Sequence, residues 1–191
     1  MEINAQYLES VKKQFLYYKT IADKAMAQLE PEQLSVSLNE NTNSIANIIK
    51  HLSGNMLSRW TDFLTSDGEK EWRNRDEEFE ETVIEKEALL VIWEKGWNCL
   101  FDALNNLTTD QLSNVIYIRN EGHTVTKAIN RQLAHYPYHV GQIVFYAKLL
   151  KNGEWNSLSI PKNKSNEYNA DKFSKDKTIR NFTDDELKRL Q

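Results

Sequence analysis

Four long segments of the sequence repeat apolar residues at intervals of three and four, which is the spacing of one face of an α-helix. The segments run from Ala5 to Leu29, from Asn43 to Thr65, from Thr82 to Asn105 and from Thr126 to Asn152. Helices of this kind, joined by polar connections, bury their apolar faces against one another. The sequence therefore predicts an all-α fold, an up-and-down four-helix bundle.

Two connections have features of their own. Between Ser113 and Thr126, alternating residues and the run at 120–122, Asn-Glu-Gly, predict a short β-hairpin just before the fourth helix. Residues 66–81 are dense in charge and show no period, so they are predicted to be an ordered connection held to the bundle by Trp72 and Phe79.

The last forty or so residues differ from the rest in composition. They mix Lys, Ser and Asn and contain Pro161, which predicts a partly irregular chain. Thr183 and Glu186 form a capping box that predicts one short terminal helix. We expect a four-helix bundle over residues 1–152 and a C-terminal extension over residues 153–191.

Charge and cysteine content exclude several classes of function. The net charge is −4 and the pI about 5.7, so no overall positive field attracts nucleic acid. No apolar run approaches the ~20 residues that span a bilayer, and the N-terminus does not resemble a signal peptide. The single cysteine, Cys99, cannot form an internal disulfide and has apolar neighbours, which predicts a structural thiol and a cytoplasmic protein.

Three of the four histidines fall in predicted helices. His135 and His139 are four residues apart, so their side chains lie on one helix face, with about 5–6 Å between Cβ atoms. That is the reach of two ligands of one metal ion, and His51 is the third histidine in a predicted helix. Three imidazoles would leave an open coordination position, as catalytic metal sites do. Helical histidines that make ordinary polar contacts are the alternative.

Pro137 lies between His135 and His139 and removes a backbone donor from the fourth helix. Its ring is expected to clash with the Leu133 carbonyl, so the helix should kink or restart there. A mild kink would leave that carbonyl free to accept a hydrogen bond from one of the imidazoles.

Two stretches resemble the DinB-like superfamily of small bacterial metal-binding bundles, and more closely one uncharacterised branch of it. They are NSIANIIKHLSGNMLSRWTDFLTSDGEKEWRNRDEEFE, around His51, and HYPYHVGQI, around His135 and His139. The resemblance covers roughly residues 5–150. It implies a four-helix bundle, often a homodimer, with a divalent metal ion on His51, His135 and His139.

The resemblance also implies a kind of chemistry. Some DinB-like relatives use low-molecular-weight thiols such as bacillithiol or mycothiol in transfer or isomerisation reactions on small molecules. Nickel and zinc are the expected ions, since imidazole suits several first-row metals. A thiol transferase is the leading hypothesis for function; a non-catalytic dimeric binding protein and a metal-dependent hydrolase are the alternatives.

Other polar residues in these segments have two interpretations. Arg59, Arg73 and Arg75 could contact an anionic substrate. They could instead form salt bridges with nearby carboxylates, namely Asp62, Asp76, Glu77 and Glu78. His123 lies in the predicted turn, outside the histidine set that matches the family, and is expected to be an exposed surface residue.

Overall fold

The computed structural model describes residues 3–80 and 84–190, and these are mostly helical, with one small two-stranded sheet. The four long helices are α1 (Ile3–Met26), α2 (Ile45–Trp60), α3 (Lys86–Asn106) and α4 (Val125–Lys151). The main contacts pair α1 with α4 and α2 with α3, and smaller ones join α2 to α4 and α1 to α3. The mostly helical class is confirmed; the up-and-down four-helix bundle stays a prediction.

Local backbone chemistry sets where the helices begin and end. Ser44 caps α2: its hydroxyl accepts from the Asn47 amide, and the Asn47 side chain accepts from the Ser44 amide in return. The helix stops at Trp60, short of the predicted Thr65, because Asp62 takes a left-handed φ of 47°. The predicted cap at Thr82 lies outside the described residues.

The predicted hairpin is present. Strand β1 (Val115–Ile118) pairs antiparallel with β2 (Glu121–Thr124). The turn is Arg119 and Asn120, with φ of 56° and 63°, so it starts one residue earlier than predicted. Two left-handed residues match the twist of a tight hairpin, and the Asp67 carboxylate accepts hydrogen bonds from both of their amides.

The connection between α2 and α3 is ordered over its described part and contains a 3-10 turn, Asp76–Phe79. The prediction for Trp72 is wrong, since this side chain is 60% exposed. Phe79 is half-buried, and Glu78 is buried. Charged contacts anchor the connection, as described for the site below.

The chain beyond α4 forms two short helices, α5 (Ser165–Phe173) and α6 (Phe182–Leu190). The terminal helix is confirmed, and α5 was not predicted. Helix α6 packs on α1, where Lys13 lies 2.9 Å from the Asp184 carboxylate. Within the described ranges, no helix has the length and apolar character that crossing a membrane requires.

A close approach of α2 and α3 gives a prediction for stability. A Cβ on Gly96 would lie 2.7 Å from the Ser53 Cα, a backbone atom that cannot move aside alone. We expect Gly96→Ala to lower the free energy of unfolding by about 1–3 kcal/mol, the usual cost of overpacking. Gly141→Ala is the matched control: a Cβ there meets nothing within 4 Å, and alanine favours a helix interior. Thermal denaturation of both variants tests this, and a Gly96→Ala protein as stable as Gly141→Ala would contradict it.

Candidate metal centre

The two facing helices α2 and α4 bring the three predicted histidines together. His51 is buried on α2, while His135 and His139 are partly buried on α4. The Nε2 atom of His135 lies 3.4 Å from that of His51 and 3.2 Å from that of His139. With metal–nitrogen bonds of about 2.0–2.1 Å, two imidazoles on a tetrahedral ion would have nitrogens about 3.3–3.4 Å apart. The cluster could therefore hold a metal ion.

Each imidazole of the cluster has a hydrogen-bond acceptor on its other nitrogen. The Nδ1 atoms lie 2.9 Å from Glu78 Oε2 for His51, 3.2 Å from Gln132 Oε1 for His135, and 2.7 Å from Gln142 Oε1 for His139. In a neutral imidazole, an oxygen acceptor at Nδ1 requires the proton there and leaves a lone pair on Nε2.

The positions of the ring protons decide whether the cluster fits a cation. The Nε2 atom of His135 lies within hydrogen-bond distance of the other two Nε2 atoms, and in these tautomers none of the three can donate to another. A positive ion between them would satisfy all three at once. Three imidazoles with oriented rings are a donor set that first-row divalent ions take.

Pro137 does not interrupt the site. Helix α4 continues from Val125 to Lys151 with Pro137 inside it, so the prediction of a restart is wrong. Gln132 and Gln142 accept from the imidazoles of α4, in place of the predicted Leu133 carbonyl. The glutamines lie three residues before His135 and three after His139, so both stay on the histidine face of the helix.

A buried tyrosine fixes α4 against α2 beside the cluster. The Tyr136 hydroxyl accepts from Trp60 Nε1 at 3.0 Å and donates to Asn55 Oδ1 at 3.1 Å. Tyr136 is fully buried, and both of its partners lie on α2. These two hydrogen bonds set the register of one helix on the other, and with it the distance from His51 to His135.

Burial also sets the charge of the α4 histidines. Desolvation, with repulsion from His139 and His51, lowers the pKa of His135 to about 3. The pKa of His139 is lowered as well, mainly by burial. Both rings are therefore neutral at pH 7 and need lose no proton to bind a metal ion.

The lowered pKa values predict how the metal-free protein responds to acid. An unfolded histidine takes up a proton near pH 6.5, whereas folded His135 does so only near pH 3. The contribution of neutral His135 to the free energy of unfolding is thus fully present above pH 6.5 and is lost as the pH falls below that value. The loss is at most about 1.4 kcal/mol per pH unit for one proton, and less where solvent reaches the ring. Thermal denaturation in a chelator at pH 7, 6 and 5 should show a falling midpoint, with a shallower fall in His135→Gln. Equal slopes in the two proteins would contradict the assignment.

The Glu78 carboxylate accepts hydrogen bonds from a second residue besides His51. Arg73, whose side chain is only 2% exposed, donates from Nε to Oε1 at 2.8 Å and from Nη2 to Oε2 at 2.9 Å. Burial alone would raise the pKa of Glu78, but the hydrogen bonds from His51 and Arg73 outweigh it and hold the pKa below its ordinary value. The carboxylate is therefore an anion that accepts from both neighbours.

The three arginines have different surroundings. Arg73 forms the salt bridge with Glu78 that was one of its two interpretations, and Arg59 donates to Glu69 at 3.1 Å. Arg75 is exposed, with its guanidinium 5.0 Å from the centre of the Phe79 ring. That ring lies 5.0 Å from the His51 ring, so Arg75 is near the cluster. Contact of any of these arginines with a substrate stays a prediction.

His123 and Cys99 lie apart from the cluster. His123 is on β2 and partly buried, rather than the exposed residue that was expected. Cys99 is half-buried beside a groove of about 1000 Å³, with Sγ 3.6 Å from the Thr61 hydroxyl. Burial raises the pKa of the Cys99 thiol, which disfavours the reactive thiolate form.

The fold and the cluster define a class: a mostly helical protein with three convergent histidines on two helices. Comparison with known families makes this more specific. The model of the DUF1572 family, described as a protein of unknown function, matches residues 2–164. The chain belongs to that family, and the match includes all four long helices and the three histidines. No curated protein matched the chain.

Proposed function

We propose that the protein binds one divalent metal ion per chain through the Nε2 atoms of His51, His135 and His139, as a metal-dependent enzyme of the DinB-like type. The supporting observation is that all three Nδ1 atoms have oxygen acceptors while all three Nε2 atoms converge. Nickel and zinc are the proposed ions, because three imidazoles suit both.

Three protein ligands leave a coordination position open for a small molecule, in contrast to closed structural sites. A bound divalent ion supplies Lewis-acid chemistry there, lowering the pKa of a thiol or water that occupies the open position. The proposed reaction is transfer of a low-molecular-weight thiol, of the bacillithiol type, to a small electrophile. The resemblance to the DinB-like superfamily supports the thiol and a homodimer, and the histidines support the metal. The single cysteine supports the proposed cytoplasmic location.

The residues of the chain have distinct parts in this proposal. The three imidazoles hold the ion, and Glu78, Gln132 and Gln142 orient them. Of the three arginines, Arg59 and Arg73 already bind carboxylates, so the exposed Arg75 is the better candidate to contact an anionic substrate.

Hydrolysis would need a carboxylate beside the open position to act as a general base. Among the described residues, Glu78 is the carboxylate that hydrogen-bonds to the cluster, but it lies on the Nδ1 side of His51 and is held by Arg73. Its position fits orientation of a ligand better than proton transfer at the open position. This observation favours thiol chemistry over the hydrolase alternative.

The direct test is elemental analysis of protein purified without a polyhistidine tag. We expect about one nickel or zinc ion per chain after reconstitution and removal of excess metal. Protein that retains no divalent ion under these conditions would overturn the proposal.

A further inference from the structure

The three histidines of the cluster are not anchored alike. His135 and His139 donate to neutral glutamines of their own helix, whereas His51 donates to a carboxylate from a different element, the 3-10 turn Asp76–Phe79. Glu78 is buried, 8% exposed, although it lies in a connection whose other charged residues are mostly exposed. A buried carboxylate is costly unless it is paired, so its position calls for a reason beyond solubility.

The surface of α2 has room for this carboxylate because of one glycine. A Cβ on Gly54 would lie 2.9 Å from Glu78 Cδ and closer still to its Oε1. Gly54 follows His51 by three residues, so it is on the same face of α2. Because Gly54 has no side chain, the Glu78 carboxylate can lie against α2 within hydrogen-bond distance of His51 Nδ1.

Arg73 fixes the Glu78 carboxylate in this position. Its two hydrogen bonds occupy both carboxylate oxygens in a fork, so the carboxylate plane cannot rotate freely. The Arg73 guanidinium also lies 3.6 Å from Glu69, which in turn accepts from Arg59 on α2. The charges thus alternate in sign along Glu78, Arg73, Glu69 and Arg59. Contacts at Glu78 and at Glu69 hold the connection against α2.

We propose that Glu78 is a positioning residue for metal binding, and that its side chain links the connection between α2 and α3 to the metal centre. It holds His51 as the Nδ1-protonated tautomer with Nε2 aimed at the other two imidazoles, and its charge makes His51 a stronger donor. Phe79, whose ring centre is 5.0 Å from that of His51, covers the same imidazole. The inference rests on the proposed metal site. Because the ion and Glu78 both bind the His51 imidazole, binding of the ion should stabilise the contact between the connection and α2.

Metal affinity of four variants tests this by titration with Co²⁺ and Zn²⁺. We expect about 10-fold weaker binding in Glu78→Gln and up to about 100-fold weaker binding in Glu78→Ala, the range typical for loss of a group that orients a ligand. Glu77→Gln is the matched control, since it removes the same charge from the exposed neighbouring residue, and should change affinity less than 2-fold. Gly54→Ala should weaken binding about 10-fold although it alters neither a ligand nor the carboxylate. Circular dichroism verifies folding of each variant.

A measurement on the unaltered protein keeps the inference testable even if the variants fold poorly. In the zinc-loaded wild type, histidine ring NMR should show His51 protonated at Nδ1, with a strongly downfield proton from its hydrogen bond to a carboxylate. Hydrogen exchange of the amides at 69–80 should slow when zinc is added.

The outcomes separate this inference from the metal site itself. A wild type that binds no ion would overturn both. A wild type that binds the ion, but with His51 ligated through Nδ1 or with Glu78→Gln equal to Glu77→Gln in affinity, would overturn the positioning role and leave the three-histidine site standing.

Discussion

Replacing any one of His51, His135 and His139 by alanine is expected to abolish stable binding of the divalent ion. Loss of a residue that only orients a ligand typically lowers metal affinity by about 10–100-fold, and loss of one of three ligands should exceed that. The wild type should also gain stability with metal, about 2.7 kcal/mol at an ion concentration 100 times the dissociation constant. None of the three variants should show this gain. Elemental analysis and thermal denaturation with and without metal measure the two effects.

His123→Ala is the matched control for these three variants. It removes the same side chain from a partly buried position on β2, outside the cluster, and should keep the ion and the stabilisation. Full metal content in the alanine variant of His51, His135 or His139 would contradict the assignment of these residues as ligands. Loss of the ion in His123→Ala alone would place the metal elsewhere.

The part of the site on α4 could be predicted from sequence because it is local. Residues four apart in a helix share a face whatever the rest of the chain does, so His135 and His139 had to be neighbours once α4 was assigned. Pro137 made this uncertain, yet α4 continues through it and keeps the Nε2 atoms 3.2 Å apart. The same rule would have found Gln132 and Gln142, three residues from the histidines with which they bond.

His51 and Glu78 show what periodicity cannot provide. The periodic pattern placed His51 on a helix but could not show which helix it faces, and the resemblance supplied that pairing. Glu78 lies in a charged segment without a period, where nothing in the sequence separates it from the exposed Glu77. Its burial depends on contacts across the chain: the space at Gly54 and the buried guanidinium of Arg73.

The wrong prediction that Trp72 holds this connection to the bundle also arises because contacts across the chain cannot be read from the sequence. Large aromatic residues are usually buried, which favoured Trp72, but Trp72 is exposed and the fixed points are Arg73 and Glu78. Pairing of buried charges outweighs apolar burial in this segment, and single-residue hydrophobicity does not report on pairing. The short helix α5 was missed for a related reason, since it buries no residue and has no apolar face to detect.

The second large effect concerns the ligand at the open position. Adding millimolar bacillithiol, mycothiol, glutathione or cysteine to the cobalt-loaded protein is expected to change its visible absorption. Three neutral imidazoles leave the ion with its full positive charge, which lowers the pKa of a thiol well below its ordinary value of about 8.5. A thiol at the open position should therefore bind as the anion near pH 7, and sulfur would replace solvent next to the cobalt.

Serine is the matched control ligand, since it differs from cysteine only by oxygen in place of sulfur and should leave the spectrum unchanged. The response should vanish in His139→Ala, which lacks one of the three nitrogens, and persist in His123→Ala. A spectrum unchanged by all four thiols would overturn thiol chemistry at this site while leaving the metal assignment intact. Function would then be sought in water activation or in a non-catalytic binding role, because three histidine ligands would hold an ion without specifying what occupies the open position.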